Sequence, residues 1–314
     1  MNICFESYPQ SWYPICLSKA VKTGKVLVQE AFGREWVLFR DKNNQIGMIS
    51  RHCSHMGADL SLGKVIDGKI ECPLHRWRYD TAGRCELLSS KQEYAILNAL
   101  SVIEKYGIIF AFWGIKPLFP LPVFDKLKKP SISSPSHFIL ETAMIMIGVN
   151  TFDLAHYAPV HNRKLEGAPK VYSDHAFHLG VIYDASIKIK RIYDKLIAWI
   201  GRYQVTNQID CVGGNIFLVI SHSTSFYSIF YALPINIHKT QIFLVTACES
   251  SKSAMKDKFK SYLGRVFTSK FLEQDIVVAK NMRPRFDHPS IKEDASLMKF
   301  FHYWQNLPKW ETDS

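Results

Sequence analysis

Cysteine is scarce in this chain: seven residues in 314 (Cys4, Cys16, Cys53, Cys72, Cys85, Cys211 and Cys248), an odd number. A secreted scaffold built on disulfides would be shorter and much richer in cysteine, so that class is set aside. Long apolar runs are missing too. The longest uncharged stretch, 211–238, is interrupted by Gly213, Gly214, Asn215, several Ser and Thr, and Pro234. It never supplies the ~20 apolar residues of a spanning helix. The N-terminus shows no basic segment followed by an apolar one, so no signal peptide is expected and a reducing, cytoplasmic setting is the default. Acidic residues are in the minority, 28 against 39 Lys plus Arg, for a net charge of +11. That excess bears on partners rather than fold. No RNP, helix-turn-helix or zinc-finger pattern accompanies it, so no nucleic acid partner is expected.

With 47% apolar and 21% charged residues, the composition is that of a globular protein long enough for about two domains. Short apolar or alternating runs at 25–29, 36–40, 46–50, 69–72 and 108–113, separated by turn signals such as Asn43-Asn44 and Asp67-Gly68, predict a small all-β unit. Residues 119–136 hold Pro120, Pro122, Pro130 and Pro135 and read as a linker. Beyond it, 138–147 is apolar enough for a strand, and 150–158 reads as a short helix stopped near Pro159. Strand-like runs at 187–192, 196–200, 215–222, 226–233 and 242–248 predict an antiparallel sheet, and 252–282 a long helix. The expected class is α+β: domain 1–118, linker 119–136, and a second domain at 137–314 with an antiparallel sheet flanked by helices.

Two constellations carry chemistry. In the first, Cys53-Ser54-His55 is followed after 16 residues by Cys72-Pro73-Leu74-His75. Two Cys/His pairs on neighbouring loops can converge on one centre, and two thiolates with two imidazoles suit either a tetrahedral zinc or a [2Fe–2S] cluster with one His-ligated iron. Zinc fingers usually place two Cys in one pair and two His in the other, unlike this arrangement. The second constellation is Asn150-x2-Asp153-x2-His156-x4-His161. Asp153 and His156 share one side of a regular helix, but residues five apart do not, so His156 and His161 need a distortion to meet, for which Pro159 is the candidate. Two His and one carboxylate form a facial triad that leaves open positions on iron(II). A similar pair, His175 and His178, has no matching context.

The segments CSHMGADLSLG (53–63) and ECPLHRWRYDTAGRC (71–85), with Trp12-Tyr13-Pro14, 33–41 and the motif at 150–161, resemble the Rieske-type non-haem iron oxygenases. The resemblance implies an N-terminal Rieske domain in which Cys53 and Cys72 bind one iron of a [2Fe–2S] cluster and His55 and His75 the other. It implies a mononuclear Fe(II) held by His156, His161 and a carboxylate of the late helix. Asp275 is the expected third ligand and Glu273 its competitor; Asp287 and Asp294 read as solvated. By the same resemblance Asp153 would bridge a cluster histidine of one subunit to His156 of the next, as part of the catalytic path. Two departures stand out: Leu74 where the family usually has an aromatic residue, and Arg76 where glycine is usual. No cysteine follows His55 or His75 closely, so the loop disulfide of respiratory Rieske proteins is not expected.

The activity implied is that of an oxygenase component using O2 and electrons from NAD(P)H, delivered by a ferredoxin or flavin reductase. It would hydroxylate, demethylate or desaturate a small apolar molecule. The chain length resembles the shorter members that form head-to-tail homotrimers. The competing reading is a Rieske electron-transfer or redox-sensing protein with an inactive second domain. Residues 251–286 contain nine Lys or Arg against Asp257, Glu273 and Asp275, a local +6 that suits either a solvated helix face or a dock for an acidic electron donor; the surroundings of Arg76 are the alternative dock. Phe217, Phe226, Tyr227, Phe230 and Tyr231 are expected as core rather than cavity lining.

Overall fold

The computed structural model describes residues 7–86, 96–189, 195, 203–251, 253–279, 282 and 295–310, and the chain divides into two compact units. One comprises Gln10–Phe119 with Leu233–Asn236. It is built from three small antiparallel sheets: β1 (Ser11–Leu17), β9 (Ile108–Trp113) and β8 (Ser101–Lys105); β2 (Val26–Ala31), β3 (Arg34–Arg40) and β4 (Ile46–Ser50); and β5 (Lys64–Ile66), β6 (Lys69–Glu71) and β7 (Arg78–Tyr79). Strand β1 escapes sequence reading because Pro14 lies inside it. As an edge strand it tolerates the missing N–H, and its register slips between Pro14 and Cys16. Val37, Phe39, Ile49, Leu60, Ile70 and Tyr79 form a core that also takes in Cys53 and Cys72.

The other unit holds Pro120–Ala232 and Ile237–Ser314, together with Met1–Pro9. Its eight-stranded sheet runs β10 (Pro130–Ile132), β17 (Lys239–Glu249), β16 (Phe226–Asn236), β15 (Ile216–Ser221), β14 (Gln204–Val212), β13 (His178–Ile187) and β12 (Arg163–Tyr172), with β11 (Ser136–Leu140) also on β17. The last four residues of β16 belong to the first unit. Helices α1 (Ile145–Phe152), α2 (Tyr157–His161), α3 (Ala254–Ala279) and α4 (Ala295–Asn306) accompany the sheet. The class is α+β, as expected. No helix among the described residues is long and apolar enough to cross a membrane.

Two local expectations change. The run 138–147 is not one strand: β11 ends at Leu140 and α1 begins at Ile145. The expected helix at 150–158 is the junction of two helices. The chain leaves α1 at Asp153 (φ −78°, ψ 89°), makes one 3-10 turn over Leu154–His156, and restarts as α2. Pro159 does not stop the helix. It lies in the first turn of α2, where its absent N–H leaves no bond unmade. The 196–200 run, the end of the 187–192 run, Asp287 and Asp294 lie outside the described residues.

Candidate metal centres

In the N-terminal unit two loops meet with matching backbones. Cys53 N–H donates to Ala58 O at 2.9 Å and Gly57 N–H to Cys53 O at 2.9 Å; one loop further on, Cys72 N–H donates to Trp77 O at 2.8 Å and Arg76 N–H to Cys72 O at 3.0 Å. Gly57 (φ 71°) and Arg76 (φ 60°) are therefore equivalent corners in the left-handed region. Only one of them has the glycine that this geometry favours. Arg51 ties the first loop down through both carboxylate oxygens of Asp59 (3.0 and 2.5 Å) and through Glu35 at 2.6 Å, holding the Asp59 carboxyl well below its ordinary range.

Side-chain length sorts these loops into a buried and an exposed pair. Cys53 and Cys72 are buried, while His55 and His75 reach outward with their Nδ1 atoms 3.1 Å apart. Burial raises the Cys72 thiol; the N–H groups of Leu74 and His75 point at its sulfur and act the other way, and Cys53 lies within bonding reach. Tyr79, its phenol kept protonated by burial, lies 3.0 Å from both Cys53 Sγ and Ser54 Oγ, and His55 stacks on Trp77 at 4.4 Å. Two sulfurs on one side and two facing Nδ1 atoms on the other fit a two-iron cluster with unlike ends. Tyr79 and Trp77 escape sequence reading, although they lie inside the 71–85 segment.

The second constellation meets in the C-terminal unit. The break at Asp153 turns His156 toward His161, so the two Nε2 atoms lie 3.2 Å apart. Asn162 (φ 54°) then ends α2 in the left-handed region and leads into β12. Asp275 comes from the buried side of α3, with Oδ1 2.7 Å from His161 Nε2 and 3.6 Å from His156 Nε2. His161 is wedged against Phe271, one turn earlier on α3, at 3.7 Å. Asp153 works in two directions: Oδ1 accepts from Ala155 N–H at 3.1 Å and caps the 3-10 turn, while Oδ2 lies 3.6 Å from His156 Nδ1. Glu273 is exposed and paired with Lys270 at 2.7 Å, away from this cluster.

Electrostatics here is that of a site short of positive charge. Burial opposes the charged form of His156, but Asp153 and Asp275 outweigh it and push the imidazole up to about 9. Burial likewise raises Asp275 and Asp153, and the histidine contacts outweigh it and leave both carboxyls low. Yet His156 Nδ1 and His161 Nδ1 are buried without a hydrogen-bond partner, while the two Nε2 atoms and Asp275 Oδ1 crowd on one another. Buried polar atoms are seldom left so. Two imidazole nitrogens and one carboxylate oxygen within 4.8 Å of one another fit a single divalent first-row metal ion, which would replace the proton on His156.

The cluster opens onto an apolar cavity of about 240 Å³. Phe217, Phe226 and Phe230 line it, whereas Tyr227 and Tyr231 do not; Phe217, Phe230 and Tyr231 are buried in the core as expected, and Phe226 and Tyr227 are half-buried. Beside this cluster, Asn207 Nδ2 donates to Tyr183 Oη (3.3 Å), which donates to Tyr157 Oη (3.0 Å).

Comparison with known proteins gives a consistent answer. Residues 11–106 match the Rieske [2Fe-2S] domain. The chain is 30% identical to chlorophyllide a oxygenase of Arabidopsis thaliana over 159 residues, 48% of this chain and 28% of that protein. It is 33% identical to aminopyrrolnitrin oxygenase PrnD of Pseudomonas fluorescens over 168 residues, 48% of this chain and 45% of that protein. The chain thus spans less than half the length of these curated relatives. Among solved structures, dicamba monooxygenase bound to dicamba superposes with a TM-score of 0.68 at 14% identity, covering 95% of this chain and 96% of the other. NdmB of Pseudomonas putida CBB5 superposes at 0.70 and 20% identity, covering 94% and 89%.

Proposed function

Because residues 11–106 are a Rieske [2Fe–2S] domain and the whole chain has the fold of the Rieske-type oxygenases, we propose that it is the oxygenase component of a multicomponent system acting on a small apolar molecule. Cys53, Cys72, His55 and His75 hold the cluster, and His156, His161 and Asp275 hold the mononuclear iron. The observation that carries the reading is the convergence of His156 Nε2, His161 Nε2 and Asp275 Oδ1 on one point beside an apolar cavity. An electron carrier has no use for such a cavity beside a metal site.

The bound iron and cluster would supply O2 activation and electron storage. The chain's own residues do the rest. Asp153, capped on one side by Ala155 N–H, keeps a carboxylate oxygen on the Nδ1 side of His156 and so fixes which ring nitrogen faces the metal. Phe271 and Tyr157 clamp the His161 ring against rotation. The cavity's phenylalanines exclude water and hold an apolar substrate beside the triad. We assign electron supply to a ferredoxin or flavin reductase, with a head-to-tail homotrimer as the working assembly. We keep a cluster domain over 1–118 and an iron domain over 137–314, with 119–136 as a connecting segment that adds β10 to the edge of the iron domain's sheet.

Metal analysis tests this directly. The purified chain is expected to hold three irons and a reducible cluster, and His156→Ala two irons with the cluster spectrum intact. O2 uptake coupled to product, with a generic reductase, should vanish in that variant. A wild-type chain with two irons, unchanged by the substitution, would favour the electron carrier.

A further inference from the structure

Apart from the ligand candidate Asp275, the cavity wall contributed by β16 and α3 has a single polar spot among the described residues. Phe226 and Ser228 project from the same face of the strand, and Gly264 and Thr268 stand one helical turn apart. A side chain on Gly264 would bring its Cβ 2.9 Å from Phe226 Cδ1, so strand and helix approach this closely only because that carbon is missing. The approach brings Ser228 Oγ and Thr268 Oγ1 to 3.2 Å, both lining the cavity.

The protons settle the direction of that bond. A threonine hydroxyl has a single proton, and Thr268 gives it to Gly264 O at 2.8 Å. The contact between the hydroxyls therefore uses the proton of Ser228. Ser228, 4% exposed, is left with acceptor lone pairs and no proton to offer. Arg163, which among the described residues is the sole Lys or Arg on the cavity wall, is already engaged elsewhere, and the lone pairs of Ser228 repel a carboxylate at this spot.

We infer that Ser228 is a substrate-anchoring residue that accepts a hydrogen bond from a hydroxyl or N–H group on an otherwise apolar, uncharged molecule. The inference rests on the cavity being the substrate chamber of the proposed oxygenase. The polar group of the substrate docks against β16, and its apolar body lies among the phenylalanines.

Equilibrium binding of three probes to the full iron-loaded chain, held anaerobic and unreduced, tests it by calorimetry. The probes are 2-naphthol, which donates a hydrogen bond; 2-methoxynaphthalene, which can only accept; and 2-naphthoate, an anion. In the wild type 2-naphthol should bind up to about tenfold more tightly than 2-methoxynaphthalene, the worth of one hydrogen bond, and 2-naphthoate most weakly. Ser228→Ala should bring 2-naphthol down to the level of 2-methoxynaphthalene, whose affinity stays put. Thr268→Val takes away the acceptor for the Ser228 proton and should strengthen 2-methoxynaphthalene several-fold; it also carries the test if Ser228→Ala does not fold. No preference in the wild type, 2-naphthoate binding best, a preference that survives in Ser228→Ala, or no binding by any probe overturns the inference. Failure of the oxygenase reading looks different: discrimination among probes without any O2-coupled product.

Discussion

Two buried histidine–aspartate clusters sit in the same unit of this molecule, and they differ in what they leave undone. At His178 every polar atom is answered. Nε2 lies 3.1 Å from Asp210 Oδ1, Nδ1 accepts from Asp174 N–H at 3.1 Å, Tyr172 Oη bonds Asp210, and Gln208 Nε2 donates to Asp210 Oδ2 at 2.7 Å and to Tyr172 Oη at 2.8 Å. At His156 and His161 both Nδ1 atoms are left without a hydrogen-bond partner, while the two Nε2 atoms and Asp275 Oδ1 are packed against one another. A buried unsatisfied polar group costs about 1–3 kcal/mol, so the second arrangement persists against its own energetics. The pair that resembles a metal site in composition, and the pair that is short of partners, are told apart by this satisfaction and not by residue type.

Substitutions should pull the clusters apart. The largest effect is expected from Asp275→Ala, which should abolish retention of the mononuclear iron, lowering the count from three to two per chain by atomic absorption. The same assay on Asp210→Ala should still return three. Asp210→Ala should instead lose about 3 kcal/mol in urea unfolding, because His178, Tyr172 and Gln208 are stranded together.

Acid should expose the same term. Burial raises the Asp210 carboxyl, but His178 and Tyr172 outweigh it and hold it below 3.8. A depressed carboxyl contributes stability that is fully present above the unfolded value and lost as the pH falls through the folded one. The stability gap between wild type and Asp210→Asn should therefore be constant above about pH 5 and shrink steadily below pH 3.8. A gap that widens in acid would reverse the assignment.

Smaller effects mark the edges of the comparison. Arg76→Gly should add about 1 kcal/mol by relieving a left-handed corner that Gly57 occupies at no such cost in the sister loop. Glu273→Gln should change neither iron content nor stability by more than about 0.5 kcal/mol, since the Lys270 pair is exposed. Loss of iron on Glu273→Gln would move the third ligand two residues along α3.

Much of this was legible in the chain itself, for a physical reason. Cys53/His55 and Cys72/His75 are short-range pairs on loops between short strands, and their spacing can be read without knowing the fold. Asp153 and His156 are equally local. The bend that joins His156 to His161 was misplaced because Pro159 is the conspicuous breaker. The break occurs at Asp153, whose side chain offers the backbone a competing hydrogen bond, while proline sits harmlessly in a first turn. Asp275 against Glu273 could not be decided from sequence, because the choice depends on which side of α3 faces α2 in space. Ser228 and Thr268 lay beyond sequence reading altogether: they are 40 residues apart and meet through a sheet-to-helix contact that no periodicity announces.

Gly264 gives that contact a second meaning. The carbon it lacks would collide with the ring of Phe226, and that ring is itself part of the chamber wall. A methyl group added at this point would push the ring inward and narrow the space beside Ser228. Enlarging residue 264 and trimming residue 226 are thus opposite turns of one screw. The range of molecules that fit can drift along this single axis while His156, His161 and Asp275 stay where they are.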